Sequence, residues 1–376
     1  MSLRRPPSTH ASARRRRNLP SASAKYAANV WRQRFGFATV LALGLTAAAI
    51  VVAVVKHLPY RDPDGVVGPT FVLLPIIVTL AFLTDVVPRA VVRARRRGSL
   101  LHFRSTFRAV TVERWPMEHV RFALLGLGSW YLTYVSFRNL KSYVPFVNPH
   151  LWDSDLDRLD RAILFGHDPA VVLHELLGTG WAAHLCSGVY IAWIGLVPVT
   201  LAASLVWTRN VSGGSWLVTA VAVDWVLGVA TYYLLPTLGP IYARPGLFSS
   251  LPQTYVSRIQ ESMLDQREAV LANPFGTEAV QTIAAFASLH VGITVTVCVI
   301  AQLLRLNIWF RVALWVFLAL TVISTIYLGW HYLVDAFGGV VLGVAGAWIA
   351  AIATGNHVSW RPVHRQESMV LEPVSL

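Results

Sequence analysis

The chain has 376 residues, of which 55% are hydrophobic and only 14% charged, with a positive mean hydropathy of +0.53. That balance excludes an ordinary water-soluble protein of this length and predicts an all-α, polytopic membrane helical bundle. The formal net charge of +13 invites a nucleic-acid partner, but its distribution, taken up below, points instead to membrane topology.

In chain order, residues 1–36 form a basic arm rich in Ser and Ala with no apolar face, which predicts a disordered cytoplasmic segment. A spanning helix needs about 20 apolar residues. Eight runs meet or approach that length: Phe37–Val55, Thr70–Val87, Phe122–Phe137, Trp181–Trp207, Trp216–Leu235, Ile283–Leu304, Val312–Leu328 and Ala336–Ala353. The first exceeds the apolar core of a cleaved signal, roughly 7–15 residues, and is read as a retained span. Residues 37–87 then form an accessory transmembrane hairpin and 88–118 a basic cytoplasmic linker. A six-helix catalytic membrane domain follows over 119–355, with 356–376 as a cytoplasmic tail.

If eight spans alternate, the basic clusters all fall on one side: Arg14 to Arg17 before the first span, Arg95 to Arg97 after the second, Arg209, Arg305 and Arg311 at later turns, and Arg361 and Arg365 after the last. The opposite side carries Asp153, Asp155, Asp157, Asp160, Glu261 and Asp265. The positive-inside rule places both termini in the cytoplasm of a multi-pass protein of the cell membrane, and anionic lipid headgroups account for the charge without nucleic acid. The two cysteines, Cys186 and Cys298, each lie inside an apolar span and read as small core residues.

Two extracytoplasmic segments stand out. Around 148–166, apolar Leu156, Leu159, Ile163 and Leu164 recur near helical spacing with carboxylates between them, which predicts an amphipathic helix on the outer leaflet or capping the bundle. The stretch from Gly239 to Glu278 is long enough for a lid or a solvated loop with one short helix. Asp224, inside the fifth span, must face the bundle or water. It is read as a structural hydrogen-bonding residue, with His184 a conceivable partner.

The same alternation brings Arg244, His290, His331 and Asp335 to one level of the membrane from three separate segments. His331 and Asp335 are four residues apart, a spacing that lets a carboxylate accept a hydrogen bond from one imidazole nitrogen and leave the other free to attack.

The order Arg244-Pro245, then Ala287-Ser288-Leu289-His290, then Ser324-x6-His331-x3-Asp335 resembles the type-2 phosphatidic-acid phosphatase superfamily. Its motifs read approximately K-x6-R-P, P-S-G-H and S-R-x5-H-x3-D. Within it, the Tyr-Leu-Gly-Trp-His-Tyr-Leu-Val-Asp string and the upstream Leu-Asp-Arg-Ala-Ile-Leu-Phe-Gly look closest to the inositol-phosphorylceramide-synthase branch. The resemblance implies a nucleophilic His331 oriented by Asp335, His290 as general acid and base, and a phosphate held by Arg244 and Ser288. Tyr242, Thr237, Ser324, Thr325 and Tyr327 are then pocket residues. It implies no metal and no cofactor, and as partners a membrane lipid substrate with an alcohol or water acceptor.

The departures bear on substrate. Thr237 and Thr325 stand where the family has cations, so the pocket favours a singly charged phosphodiester unless Arg138, Lys141 or Arg258 supplies charge. Tyr327, Trp330 and Tyr332 read as an interfacial aromatic belt, one of which can line a lipid groove. Four functions stay open: a lipid phosphotransferase moving a phospho-alcohol head group, a simple lipid phosphatase, a metal-dependent hydrolase using His290, His331 and Asp335, and a non-enzymatic transporter or assembly protein.

Overall fold

The computed structural model describes residues 35–63 and 70–357, so nearly all of the expected arm and tail lies outside the described residues. Among the described residues there are thirteen α-helices and no strand. They are α1 (Gly36–Val55), α2 (Thr70–Arg96), α3 (Phe103–Arg114), α4 (Met117–Val147), α5 (Asp153–Ile163), α6 (Pro169–Leu177), α7 (Trp181–Ala202), α8 (Val211–Leu234), the single turn α9 (Pro240–Ala243), α10 (Tyr255–Ala272), α11 (Leu289–Leu303), α12 (Ile308–Tyr327) and α13 (Leu333–Ala353).

Six are long and apolar enough to cross a membrane: α1, α2 from Pro75, α7 with its continuation to Trp207, α8, α12 and α13. The eight expected spans differ from this at two places. The expected third lies inside the 31-residue α4, whose buried positions include Ser129, Thr133, Ser136, Asn139 and Ser142. Those groups face protein. Ser129 and Ser136 Oγ lie 3.0 and 2.8 Å from the hydroxyls of Thr39 and Thr46 on α1, and Asn139 exchanges hydrogen bonds with the Arg61 backbone at 2.9 and 2.8 Å. The expected sixth, 283–304, is helical only from Leu289, because the preceding segment is held open by the end of α8. Ala285 N donates to Thr237 O (3.1 Å), Phe286 N to Thr237 Oγ1 (2.8 Å) and Ala287 N to Thr231 Oγ1 (3.0 Å).

The most enclosed of the six spans is α8, which packs against α4, α11 and α13. Asp224 on α8 is fully buried, and its partner is the Thr296 hydroxyl on α11 at 2.7 Å. His184 is exposed, so it does not take the part expected of it. Small residues set the contact between α11 and α13. A Cβ added to Gly339 would lie 2.5 Å from Ser288 O, and one added to Gly343 would lie 2.2 Å from Gly292 O. Without these glycines the two helices could not approach so closely. This contact fixes how near His290, at the start of α11, lies to Asp335, at the start of α13.

At the opposite end of the bundle, α2 and α3 are clamped by buried Asp85, which pairs with Arg89, with Arg114 at 2.7 and 3.0 Å, and with the Trp115 indole at 3.2 Å.

Candidate functional site

The end of α12 is broken at Gly329, where φ is +74°, a conformation favourable only to glycine. The chain then folds back, and the amides of Trp330 and His331 both donate to Thr325 O at 2.9 and 3.3 Å. This turn drives His331 into the bundle, where it is 4% exposed. Helix α13 starts two residues later, and Tyr332 N donates to Asp335 Oδ2 at 2.9 Å. The same oxygen receives His331 Nδ1 at 3.2 Å.

Opposite it, Ser288 caps α11 through its hydroxyl, which accepts from Val291 N at 3.3 Å. Its own amide donates to Asp335 O at 3.0 Å. His290 projects from the first turn so that its Nδ1 lies 2.8 Å from His331 Nε2. Asp335, His331 and His290 thus form one hydrogen-bonded chain, each ring nitrogen of His331 meeting a different partner. An ionised Asp335 fixes the proton of His331 on Nδ1 and leaves the Nε2 lone pair facing His290. Burial keeps His331 neutral by lowering its pKa below that of an ordinary imidazole, reinforced by the charge of Lys141 and opposed by the Ala285 carbonyl.

An aromatic wall from α7 backs the pair. The Tyr190 and Trp330 rings are stacked with centroids 4.9 Å apart, and the Trp193 ring lies 4.2 Å from His290. Trp193 Nε1 also donates to His290 O and to Thr294 Oγ1, both at 3.0 Å. Sequence reading missed Tyr190 and Trp193. Their spacing of three residues puts them on one helix face, but the surrounding apolar run gave no reason to single that face out.

The other expected site residues are placed as follows. Arg244 pairs with the carboxylates of Asp157 and Asp168, while its Nε is buried without a partner. The Thr237 hydroxyl serves the backbone of Phe286 as described. Ser324 Oγ donates to Cys186 O at 2.6 Å, and Thr325 Oγ1 donates back to Thr321 O at 2.9 Å within α12. Tyr327 OH donates to Gly178 O at 2.7 Å, and Tyr242 OH to Gln260 O at 3.1 Å. No hydrogen bond joins any of these five hydroxyls to the histidines. The expected aromatic belt is also revised. Tyr327, Trp330 and Tyr332 are 0%, 6% and 2% exposed, because the turn at Gly329 carries them inward.

The acidic segment caps the bundle. Asp153, Leu156 and Asp160 of α5 are buried on one face. Asp153 accepts from Leu238 N (3.0 Å), Gly239 N (2.9 Å) and Tyr332 OH (3.1 Å). Asp160 accepts from Leu333 N (2.7 Å) and Val334 N (2.9 Å), the first two residues of α13. Burial pushes Asp160 up to about 6, outweighing these two amide hydrogen bonds. The long 239–278 segment holds an 18-residue helix, α10, docked by Gln260 Nε2 on Leu328 O at 2.8 Å.

A sequence model described as the PAP2 superfamily matches residues 154–349, just over half of the chain and all of the Asp335–His331–His290 constellation. No curated protein and no solved structure matches the chain.

Proposed function

The chain belongs to the PAP2 superfamily, whose members carry out phosphatase-type chemistry on phosphoric esters, and from that premise we propose a lipid phosphotransferase working through a phosphohistidine. The observation that carries this reading is the single hydrogen-bonded chain from Asp335 through His331 to His290.

The geometry divides the roles. Incoming substrate displaces the His290–His331 contact and presents phosphorus to His331 Nε2. The Nε2 lone pair forms the N–P bond as the P–O bond to the departing alcohol breaks, and a protonated His290 gives that alkoxide its proton from Nδ1. Asp335 stabilises the positive charge that develops on His331. In the second half an acceptor alcohol or water passes its proton to the now neutral His290 and attacks phosphorus. The N–P bond breaks, and both histidines return to their starting states. Arg244 can join phosphate through its unpartnered Nε, and the Ser288 hydroxyl lies one residue from the capped N-terminus of α11, where partial positive charge collects.

Neutral Thr237 and Thr325, both spent on backbone groups, support a singly charged phosphodiester over a phosphomonoester as donor. The expected reaction is transfer of a phospho-alcohol group, such as phosphoinositol, between lipids at the extracytoplasmic face. The test uses protein in detergent with a phosphoinositol lipid and, separately, phosphatidic acid, measuring transferred head group and free phosphate side by side. Transfer to a lipid alcohol that disappears in His331→Ala supports the proposal. Rapid phosphate release from phosphatidic acid with no transfer would replace it with a lipid phosphatase, and near-wild-type turnover by His331→Ala would remove the nucleophile.

A further inference from the structure

The residues matched to the motifs leave the site short of positive charge. Thr237 and Thr325 are neutral, and Arg244 is spent on Asp157 and Asp168, with Arg161 also on Asp157, so that cluster offers phosphate no net positive charge. An anionic phosphate needs a cation from elsewhere.

Lys141 stands near the end of α4 with its Nζ 4.8 Å from the centroid of the Tyr232 ring. Tyr232 is buried in the same core cluster as Ala287 and Leu289, the residues flanking Ser288 just before His290. The backbone adds a second link. Lys141 O accepts from Gln281 Nε2 at 3.0 Å, and Gln281 Oε1 accepts from Ile283 N at 2.8 Å, so the segment leading into α11 is docked on the turn that carries Lys141. Arg138 lies three residues earlier on the same face. It donates to Tyr134 OH at 2.8 Å while its Nε is buried without a partner.

Among the described residues neither Lys141 nor Arg138 pairs with a carboxylate. Burial lowers the pKa of Lys141 to about 7, helped by the neighbouring charge of Arg138, so an anion arriving beside it would restore the ammonium and be held by it. The charge of Lys141 also acts on both His290 and His331, so it lies within electrostatic reach of any phosphorus placed between them.

We propose that Lys141 is the phosphate-binding cation of this site, supplied by α4 where the motif position holds Thr237, and that it selects a lipid phosphodiester bearing one negative charge. This rests on the phosphoryl-transfer reading above. Lys141 is the cation whose charge reaches both histidines, and one such cation matches one negative charge, whereas a phosphomonoester near neutral pH brings between one and two.

The experiment compares Lys141→Met, Lys141→Gln and Lys141→Arg with the unmodified protein and with His331→Ala, using inorganic orthovanadate as the probe and the phosphoinositol lipid as substrate. Loss of a charge-assisted contact should weaken vanadate inhibition and raise KM by about ten- to a hundredfold in the Met and Gln variants. Lys141→Arg should recover vanadate binding to within about fivefold, since charge is kept while geometry changes. The acid limb of kcat/KM should also move to higher pH in the Met and Gln variants, because a positive neighbour of His331 has gone. A purely structural lysine would lower thermal stability without moving that limb.

If Lys141→Met fails to assemble, Lys141→Gln against Lys141→Arg carries the same comparison. Unchanged vanadate inhibition and KM in Lys141→Gln, with His331→Ala inactive, would overturn the lysine assignment alone. An active His331→Ala would instead overturn the phosphoryl-transfer reading on which it rests.

Discussion

Replacing Asp160 with alanine should damage the site without touching either histidine. Its two oxygens take up Leu333 N at 2.7 Å and Val334 N at 2.9 Å, donors that have no partner within α13 because they open the helix. Removing the carboxylate leaves both unpaired at about 1–3 kcal/mol each, and partial access of water brings the expected loss to about 2–4 kcal/mol. The start of α13 also carries Asp335, so a shift of about 1 Å there would cost roughly a hundredfold in rate. Asp160→Asn is the informative companion, since an amide can accept only one of the two hydrogen bonds and cannot titrate. The fold raises the pKa of Asp160 to about 6. The folded state therefore holds a proton that the unfolded chain has released. Stability from this group is fully present below about pH 4 and is lost as pH rises through about 6. Thermal unfolding in detergent, followed by tryptophan fluorescence between pH 4 and 7, should show that slope in the unmodified protein and a shallower one in Asp160→Asn. An Asp160→Ala protein that melts and turns over like the unmodified one would refute the capping argument.

Asp335→Asn should keep the Tyr332 amide contact yet lower kcat by about a hundred- to ten-thousandfold, because the charge that stabilises the phosphorylated imidazole is lost; a loss under tenfold in a single-turnover assay would count against the role given to Asp335. Gly343→Ala forces a methyl to within 2.2 Å of Gly292 O. It should cost about 1–3 kcal/mol in thermal stability and reduce turnover by separating α11 from α13, whereas an unchanged melting temperature would show that the helices tolerate the shift. The acid limb of kcat/KM should lie below the usual imidazole range, since burial lowers the pKa of His331 and the nucleophile stays neutral further into acid; a limb above pH 7 would contradict that. Vanadate should inhibit and EDTA should not, while activity lost on chelation and restored by zinc would favour the metallohydrolase.

The contact between His331 and Asp335 was legible because it depends on a short spacing within one chain segment. The i,i+4 placement of His331 and Asp335 survives as a direct contact, and the alternation of spans was enough to bring His290 to the same level. What the sequence hid are pairings between distant segments. The helix holding Asp153 and Asp160 was read as lying on the outer leaflet or capping the bundle, and the pattern of carboxylates between leucines does not say which side chains are buried. The partners of these two acids are amides at 238–239 and 333–334, more than eighty residues away, and no local pattern announces that a helix start or a turn elsewhere needs an acceptor. Arg244 shows the same limit, since its motif position says nothing of Asp157 and Asp168 folding against it. Tyr327, Trp330 and Tyr332 looked interfacial by position, and only the inward turn at Gly329 removes them from the surface.

The hidden pairings also resolve an electrostatic difficulty. Helix α5 brings Asp153, Asp157 and Asp160 to the end of the bundle that holds the histidines, and under the proposed function three free carboxylates there would repel a phosphate. Each is occupied: Asp153 by two amides and a tyrosine hydroxyl, Asp160 by two amides, and Asp157 by Arg244 and Arg161. The acids therefore hold the two segments that carry the histidines while much of their field is absorbed by the donors they hold. Arg244 is largely consumed in the same way, so on the proposed reading the positive charge facing phosphate comes from Lys141 on α4, outside the motifs. Neutralising Asp157 and Asp168 together should accordingly release Arg244 and tighten vanadate binding, whereas neutralising Asp153 should loosen the turn around Tyr332 and weaken it. The two changes remove the same kind of charge, so opposite signs in one inhibition assay would separate electrostatic repulsion from backbone support.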